Sequence, residues 1–284
     1  MRIRPMRPDD LEPVEHLTAH AFALVHGDEH TPRRPEASER WLRRAAHVLT
    51  TDPGGCRVAD ESGEIVGVAM SIRRDLLWVL TTYAVRPGRQ GHGIGKALLD
   101  AAVGYGAGSL RGMICPLPDS RAIRRYRLAG FTPYPTMRLD GVVDRSALPL
   151  VDGVREGTAA DRDLADSVDR QLRGAAHGPD HDALGRDATL LVCDLLTGSG
   201  YAYTDAAGVA VLAATSRAVA QRLLWSALGR SEPGTPVSVR YLTAEQDWAL
   251  DVGLAAGLRV GQDGFLTVRH MRPPMPYVPS VTFG

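Results

Sequence analysis

Apolar and polar positions follow two periods along this chain, one typical of helices and one typical of strands. Apolar side chains recur every third or fourth residue in "RPDDLEPVEHLTAHAF", among them Leu11, Val14, Leu17 and Phe22, which predicts a helix with an aspartate cap. A second helix fits "PEASERWLRRAAHVL". The runs "GCRVAD" and "EIVGVAMSI" flank the turn-like "ESG" and predict a hairpin, and "LLWVLTTYAV" predicts a long strand that Pro87 stops.

After that strand, the pattern predicts helix, strand, helix and strand in turn. These elements are "IGKALLDAAVGYG", "SLRGMICPL", "SRAIRRYRLAGF" and a short strand near "PTMRL". Helices and strands in this order are typical of an α/β (α+β) fold whose front half is mostly antiparallel.

The same order of segments begins again in the second half of the chain. "GVREGTAADRDLADSVDRQL" is similar to the opening segment, and Ala249–Leu258 aligns without a gap with Ala122–Phe131. Divergent internal duplication explains this similarity, and it predicts two domains, 1–143 and 150–284. The alternative is that alanine-rich helices look alike without a common origin.

Charge balance, hydropathy and cysteine spacing limit the partners and the cellular compartment that we expect for this chain. The chain has 284 residues, with 33 basic and 33 acidic side chains, so no broad cationic face for nucleic acid is expected. No window approaches the roughly 18 apolar residues of a membrane span, and the charged start "MRIRPMRPDD" lacks an apolar signal region. Three widely spaced cysteines argue against a disulfide framework. We therefore expect a cytoplasmic protein that binds neither nucleic acid nor membranes.

A glycine-rich loop, "RPGRQGHGIGKALL", lies between the long strand and the following helix. A Walker phosphate loop fails here, because its first glycine would fall on Gln90 and its hydroxyl on Ala97. A dinucleotide fingerprint fails because the glycines follow G-x-G-x-G and the next strand ends in "CPLP". What remains is Gln90-x-x-Gly93-x-Gly95, either as an anion site or as a tight turn that binds nothing.

This pattern and its flanks resemble the GNAT (GCN5-related N-acetyltransferase) superfamily, whose pyrophosphate loop reads [QR]-x-x-G-x-[GA]. The similar context is "VRPGRQGHGIGKALL", followed by "AIRRYRLAGF", and the resemblance is strong over residues 1 to 140. It implies two GNAT-like domains in tandem, each a mixed, mostly antiparallel sheet flanked by helices, with acetyl-CoA as co-substrate and no metal. Glycine amides and a helix N-terminus suit a diphosphate without much side-chain charge.

The resemblance also implies roles for individual residues. Tyr126, in "YxxxGF", is expected to donate a hydrogen bond to the leaving thiolate, with packing on the sheet as the alternative. The Val85 amide is expected to stabilise the oxyanion. Asp119 stands where the family usually has asparagine, which puts that contact to the coenzyme in doubt. The predicted coenzyme-binding positions are Tyr83, Ala84, Val85, Gln90, Gly91, His92, Gly93, Ile94, Gly95, Lys96, Asp119 and Tyr126.

The general base is less well specified, because "LLWVLTTYAV" contains no acid. "HGDEH" falls where the family's acceptor loop joins the first two helices, so Glu29 or His30 is the candidate base, and a charged surface turn is the alternative. His26 and His30 lie at i and i+4, but no third ligand is evident and Gly27 weakens a helix, so a metal site is rejected.

The second half lacks the residues that carry this chemistry. In the repeat alignment, "QGHGIG" faces "TSRAVA" (215–220) and Tyr126 faces Gly253, which predicts a degenerate copy. The final "RPPMPYVPSVTFG" is expected to run extended, either loose or across a groove. His177 and His181 are available to a pocket, but surface histidines are commoner and no role is assigned to them.

The expected activity is transfer of an acetyl group from acetyl-CoA to a primary amine of a small molecule or peptide, by direct attack on the thioester. An alternative is an acyl-CoA sensor that binds without turnover, and a structural protein is a third if the loop is empty. Since a tandem pair can imitate a dimer within one chain, a monomer or a homodimer is expected.

Overall fold

The fold consists of two compact units. The computed structural model describes residues 1–25, 27 and 33–284. Contacts between residues divide it into a first unit, Met1–Phe131 with Thr282–Gly284, and a second unit, Thr132–Val281. The division therefore assigns the last three residues to the first unit.

The described residues of the first unit form five strands and four α-helices. In chain order they are β1 (Arg2–Pro5), α1 (Leu11–Val25), α2 (Pro35–Thr51), β2 (Cys56–Glu61), β3 (Glu64–Arg74), β4 (Leu77–Val85), α3 (Ile94–Tyr105), β5 (Arg111–Ile114) and α4 (Ser120–Leu128).

Strands β1 to β5 pair in chain order, antiparallel except for the parallel pair β4 and β5. Helix α1 packs on β3 and β4, α2 packs on β3, and α3 packs on β2, β3 and β4. Beneath α3 and α4, Trp78, Leu98 and Phe131 are fully buried members of one apolar cluster. Burial of such large side chains contributes about 1.5–3 kcal/mol each to folding.

The second unit has eight strands and four helices. In chain order they are β6 (Thr132–Val142), β7 (Val154–Glu156), α5 (Arg162–Arg173), α6 (Asp180–Asp187), β8 (Thr189–Leu195), β9 (Gly198–Asp205), β10 (Gly208–Ala214), α7 (Arg217–Gly229), β11 (Pro236–Leu242), α8 (Asp247–Ala255), β12 (Arg259–Arg269) and β13 (Tyr277–Val278).

The strands of the second unit lie in the order β12, β6, β11, β10, β9, β8 and β7, and β13 pairs with β10. Only β10 and β11 pair in parallel. Leu223 and Leu224 of α7, Trp248 of α8 and Leu139 of β6 are buried in one apolar cluster. Each unit thus has its own core.

A buried polar cluster ties α5 to the sheet of the second unit. His177 Nδ1 lies 2.6 Å from an oxygen of Asp169, and the Tyr201 hydroxyl donates to the other oxygen at 2.8 Å. Burial alone would raise the Asp169 pKa, but His177, Arg173 and Tyr201 lower it below its usual value, so the carboxylate stays ionised. Buried charges require such partners.

Asp166, Asp169 and His181 bring ligand atoms within 4.8 Å of one another, which is close enough for a metal ion. These groups already have protein partners. His181 Nε2 lies 3.0 Å from Asp166, and its Nδ1 lies 3.1 Å from the Tyr203 hydroxyl. The cluster therefore satisfies its own hydrogen bonds.

The predicted fold class is confirmed, since both units are mixed sheets, mostly antiparallel, flanked by helices. The predicted domain limits, 1–143 and 150–284, stay a prediction; the contact units divide before β6. The proline-rich final segment is packed, with β13 paired to β10 and Phe283 buried. No helix in the described ranges is long and apolar enough to span a membrane.

Acid should destabilise the second unit through His181. Burial, and then the nearby His177, lower the His181 pKa from its usual 6.5. The unfolded chain therefore binds a proton near pH 6.5 that the native state binds only at lower pH, so stability falls as the pH drops below about 6.5. We expect His181 to contribute at most about 1.4 kcal/mol of this loss by pH 5.5.

Denaturant unfolding at pH 7.5 and 5.5 measures this effect. His181→Gln should show a smaller loss of stability than the parent, whereas exposed His20→Gln should behave as the parent. An equal loss in the parent and His181→Gln would contradict the assignment.

Candidate functional site

Strands β4 and β5 separate part-way along their length. Their pairing runs from Leu77 with Arg111 to Leu80 with Ile114 and then ends. At the same place the β3–β4 register shifts, so that Thr81 is an extra residue in β4, and its hydroxyl donates to the Met70 carbonyl at 3.1 Å. A bulge bends its strand, and β4 therefore leaves β5 at Thr81.

Beyond the bulge, β4 has an open edge on its β5 side. The Arg86 amide donates to the Val66 carbonyl at 2.9 Å, which makes that pair a hydrogen-bonded one. Since hydrogen-bonded and non-bonded pairs alternate in an antiparallel ladder, the amides of Val85 and Tyr83 point away from β3. No strand in the described part of the chain pairs with this edge beyond Leu80.

The glycine loop connects this edge to α3 through eight residues, 86–93. Gly91 and Gly93 have φ angles of +87° and +82°, and Gly93 is the N-cap of α3. A Cβ on either glycine would meet no protein atom within 4 Å, so the space beside them is open. Glycine is needed here because other residues are strained at these angles.

The amides at the start of α3 lack partners within the described residues. Among the hydrogen bonds there, none has an amide from Gly91 to Lys96 as its donor, and the first helical bond runs from Ala97 to Gly93 at 3.1 Å. Unpaired N–H groups at a helix start carry a partial positive charge of about half a unit. Six consecutive amides thus lack partners among the described residues and are available to an anion.

Gln90 fastens the loop to its surroundings. Its Nε2 donates to the Val85 carbonyl at 3.3 Å, and its Oε1 accepts a hydrogen bond from Arg121 Nη1. This glutamine therefore joins the end of β4 to the start of α4. Arg121 was not among the predicted site residues, although "SRAIRRYR" is rich in arginine.

The charged side chains of the loop are engaged elsewhere. Lys96 is exposed and pairs with Asp100 at 2.5 Å, one helical turn away, and Arg89 pairs with Glu61. His92 is exposed, whereas the Ile94 side chain is 3% exposed and belongs to the core. The main-chain amides are thus more available to an anion than these side chains are.

Tyr83 and Tyr126 lie side by side beneath the loop. Their ring centroids are 5.9 Å apart. A Cβ on Gly95 would overlap the Tyr83 hydroxyl, so Gly95 allows that ring to reach the first turn of α3. Burial raises the Tyr83 pKa to about 12, which keeps it protonated at physiological pH. Tyr126 is 4% exposed and packs in the same core cluster.

Asp119 acts as the N-cap of α4. Its carboxylate accepts hydrogen bonds from the amides of Arg121 at 2.8 Å and Ala122 at 3.4 Å, and it pairs with the Arg121 guanidinium at 3.0 Å. Burial acts to raise the Asp119 pKa, but these bonds outweigh it and lower the pKa. A helix cap explains an acidic residue here in structural terms.

The candidate base lies outside the described residues, as do His26, Glu29 and His30. Within the described part of the first unit, α1 contributes a buried carboxylate, Glu15, which is bound to Arg33 at 2.6 Å. That ion pair occupies the carboxylate, so Glu15 is a poor candidate for a base.

The corresponding junction of the second unit is built differently. Only Thr215 and Ser216 connect β10 to α7, and the Ser216 hydroxyl caps the helix by accepting a hydrogen bond from Val219. The Thr215 amide donates to the Ser199 carbonyl at 2.8 Å. This two-residue turn therefore pairs the Thr215 and Val219 amides within the unit, and it contains no glycine.

The open side of β10 is also occupied. Beyond its single pairing with β11 at Gly208, β10 pairs with β13 through Leu212 with Val278 and Ala213 with Tyr277. The Gln246 side chain fixes β13, since its Oε1 accepts a hydrogen bond from the Tyr277 amide at 3.1 Å.

A Cβ on Gly253 would overlap Leu139, so α8 has no room for a side chain at the position that aligns with Tyr126.

Comparison with known proteins gives a family match for most of the first unit. The model of the acetyltransferase (GNAT) family matches residues 15–131, which include β4, the glycine loop, α3 and α4. Residues 15–131 belong to the GNAT family. This part of the first unit is accordingly a GNAT acetyltransferase domain. A search of the curated proteins finds no match for it.

Solved structures agree with the fold. A putative acetyltransferase from Pyrococcus horikoshii is 18% identical with a TM-score of 0.79, over 100% of this chain and 95% of that one. A GCN5-related N-acetyltransferase from Sphaerobacter thermophilus is 18% identical with a TM-score of 0.60, over 96% of each chain. One from Kribbella flavida is 16% identical with a TM-score of 0.59, over 94% of this chain and 70% of its own.

Proposed function

We propose that the first unit transfers an acetyl group from acetyl-CoA to a primary amine of a small molecule or peptide. The observation that carries this proposal is the run of amides from Gly91 to Lys96 that have no partner among the described residues, next to the open edge of β4. The GNAT family match over these residues supports it.

The loop suits a diphosphate better than a single charge. Several consecutive N–H groups have no partner among the described residues, and hydrogen bonds to a charged acceptor contribute about 1.5–3 kcal/mol each. Because main-chain amides and the helix start supply the attraction, the chain can bind an anion while Lys96 and Arg89 remain paired to carboxylates.

The open edge suits the thioester arm. The Tyr83 and Val85 amides, two residues apart, can donate to the arm and to the carbonyl oxygen that becomes negative when the amine attacks. The Tyr126 hydroxyl is proposed to hydrogen-bond the departing thiolate. Full proton transfer from a tyrosine near pKa 10 to a thiolate near 8.5 is uphill by roughly 2 kcal/mol, so a hydrogen bond is the favoured role.

The acceptor amine must lose its proton before it attacks. An amine with a pKa near 10.4 is neutral in about one molecule in 2,500 at pH 7, which corresponds to roughly 4.6 kcal/mol. A base is therefore needed, and Glu29 stays our prediction for it, with His30 as the alternative.

The second half is proposed to be a degenerate copy that shapes or supports the first. The two-residue turn before α7 and the pairing of β13 with β10 both argue against coenzyme binding there. A cytoplasmic location, a monomer or homodimer, and the absence of nucleic-acid and membrane partners stay predictions.

The alternative is an acyl-CoA sensor, which the absence of an acid in β4 favours. Thiol release from acetyl-CoA with a panel of primary amines separates the two functions, because a sensor binds the coenzyme without releasing thiol. We expect release that depends on the amine. Binding of CoA without release by any amine would favour the sensor, and no calorimetric binding would refute both.

Gly93→Val should weaken CoA binding at least tenfold. Gly93 has a φ of +82°, where valine is strained, and a side chain there would enter the open space beside the loop. Loss of a single charge-assisted hydrogen bond accounts for that factor. Isothermal titration with CoA measures it, with Ala218→Val in α7 as the matched control. Equal affinity in the parent and Gly93→Val would refute the cradle.

Tyr126→Phe should lower the turnover number by about 10- to 100-fold and change CoA affinity little, because one hydrogen bond to a charged group is lost. Tyr83→Phe is the matched control, since its ring neighbours Tyr126. Initial rates and calorimetry measure the two effects. An unchanged rate in Tyr126→Phe would assign Tyr126 to packing alone.

A further inference from the structure

Helix α4 carries a cluster of arginines with no acidic residue among them. Its sequence, "SRAIRRYRL", includes Arg121, Arg124, Arg125 and Arg127 and no aspartate or glutamate. Arg121, Arg124 and Arg127 are exposed, and Arg125 is half-buried. Arg121 pairs with Asp119, whereas the guanidinium groups of the other three form no hydrogen bond or ion pair within the described residues. The helix therefore presents positive charge that this part of the chain does not neutralise.

Three of these arginines lie on one side of the helix. Residues three and four apart are neighbours on a helix surface, so Arg124 and Arg125 share the side of Arg121. Arg127 comes two residues after Arg125 and therefore points to another side. We call Arg121, Arg124 and Arg125 the arginine face of α4. This face extends over one helical turn, about 5.4 Å.

The arginine face borders the glycine loop. Arg121 Nη1 donates a hydrogen bond to Oε1 of Gln90, which lies in the loop. One turn further along, Arg125 lies close enough to Tyr83 for its charge to matter: burial raises the Tyr83 pKa to about 12, and the charge of Arg125 opposes this increase. The Tyr83 hydroxyl lies against Gly95, since a Cβ there would overlap it. The arginine face thus lies beside the loop and the first turn of α3.

Coenzyme A carries a third phosphate besides the diphosphate that suits the main-chain amides. This 3′-phosphate on the ribose is a monoester with a charge of about −1.5 to −2 at pH 7 and several acceptor oxygens. Lys96 and Arg89 of the loop are already paired with Asp100 and Glu61. Guanidinium groups match phosphate oxygens in both geometry and charge. The unpaired arginines beside the loop are therefore available to this group.

We propose that the arginine face of α4 binds the 3′-phosphate of coenzyme A and makes the first unit selective for CoA over 3′-dephospho-CoA. This inference rests on the proposed function and assigns a second phosphate site for the same coenzyme. Only the ribose separates the 3′-phosphate from the diphosphate, so cations one helical turn, about 5.4 Å, from the Gln90 contact are within its reach. Arg124 and Arg125 are the principal donors, because Arg121 is shared with Asp119 and Gln90.

The test compares CoA with 3′-dephospho-CoA, which lacks only the monoester. Isothermal titration gives the two dissociation constants. The parent should bind CoA at least about tenfold more tightly, because loss of a single charge-assisted hydrogen bond accounts for that factor. The double variant Arg124→Gln/Arg125→Gln should reduce this preference to less than about threefold and bind 3′-dephospho-CoA as the parent does. Glutamine is as good a helix former as arginine, so α4 is retained.

Arg127→Gln is the matched control. It removes the same charge from the same helix on another side, so the preference for CoA should remain as in the parent. The double variant Arg124→Lys/Arg125→Lys should retain part of the preference, since lysine keeps the charge and lacks the planar fork. Added salt should reduce the preference of the parent more than that of the glutamine double variant, because exposed charges are screened.

The outcomes separate the two proposals. Equal affinity of the parent for both coenzymes, or an equal loss of both affinities in the glutamine double variant, would refute the 3′-phosphate site and leave the proposed function standing. An effect of Arg127→Gln as large as that of the double variant would also refute the arginine face. If the parent binds neither coenzyme, the proposed function fails and this site fails with it. Thermal unfolding identifies a variant that fails to fold, and Arg124→Gln and Arg125→Gln as single variants then carry the comparison.

Discussion

The separation of β4 from β5 is the constraint on which the site depends. Two paired parallel strands would satisfy each other's amides, and nothing could bind between them. The bulge at Thr81 ends that pairing while the β3–β4 ladder continues to Val85. The sheet thus remains anchored on one side of β4 and presents unpaired donors on the other. A glycine loop next to that edge then adds the free amides of α3.

The two units differ in whether the edge of the strand before the helix stays open, as in β4, or is covered by another strand, as in β10. Both place a helix after a strand that has a parallel neighbour, β4 beside β5 and β10 beside β11. In the first unit, an eight-residue loop with three left-handed glycines, Gly88, Gly91 and Gly93, connects strand to helix. In the second, two residues suffice, and β13 supplies the missing backbone partners of β10. Since unpaired buried amides are costly, an edge that binds no ligand is expected to be covered by the chain itself.

The sequence predicted the elements that depend on local patterns. The helices, the hairpin of β2 and β3 and the glycine loop follow from apolar period and turn residues, and the fold class followed from their order. Features that depend on distant partners were missed: the β1 strand, the Thr81 bulge and the Gln90–Arg121 contact. The strand predicted through "SLRGMICPL" is shorter, since β5 ends at Ile114 where its partner leaves. From the sequence, Asp119 was interpreted as a departure from the family pattern. The structure shows that it is the N-cap of α4.

Charge neutrality and anion binding are compatible in this chain for a definite reason. Equal numbers of acidic and basic side chains leave no broad attractive surface, and the cations nearest the loop are paired with carboxylates. Attraction must then be short-ranged and directional, as hydrogen bonds from fixed amides are. Such a site selects a ligand by the spacing of its oxygens more than by its total charge. The specificity that we propose for a diphosphate therefore resides in backbone geometry, and on this proposal the φ angles at Gly91 and Gly93 matter more than the exposed lysine beside them.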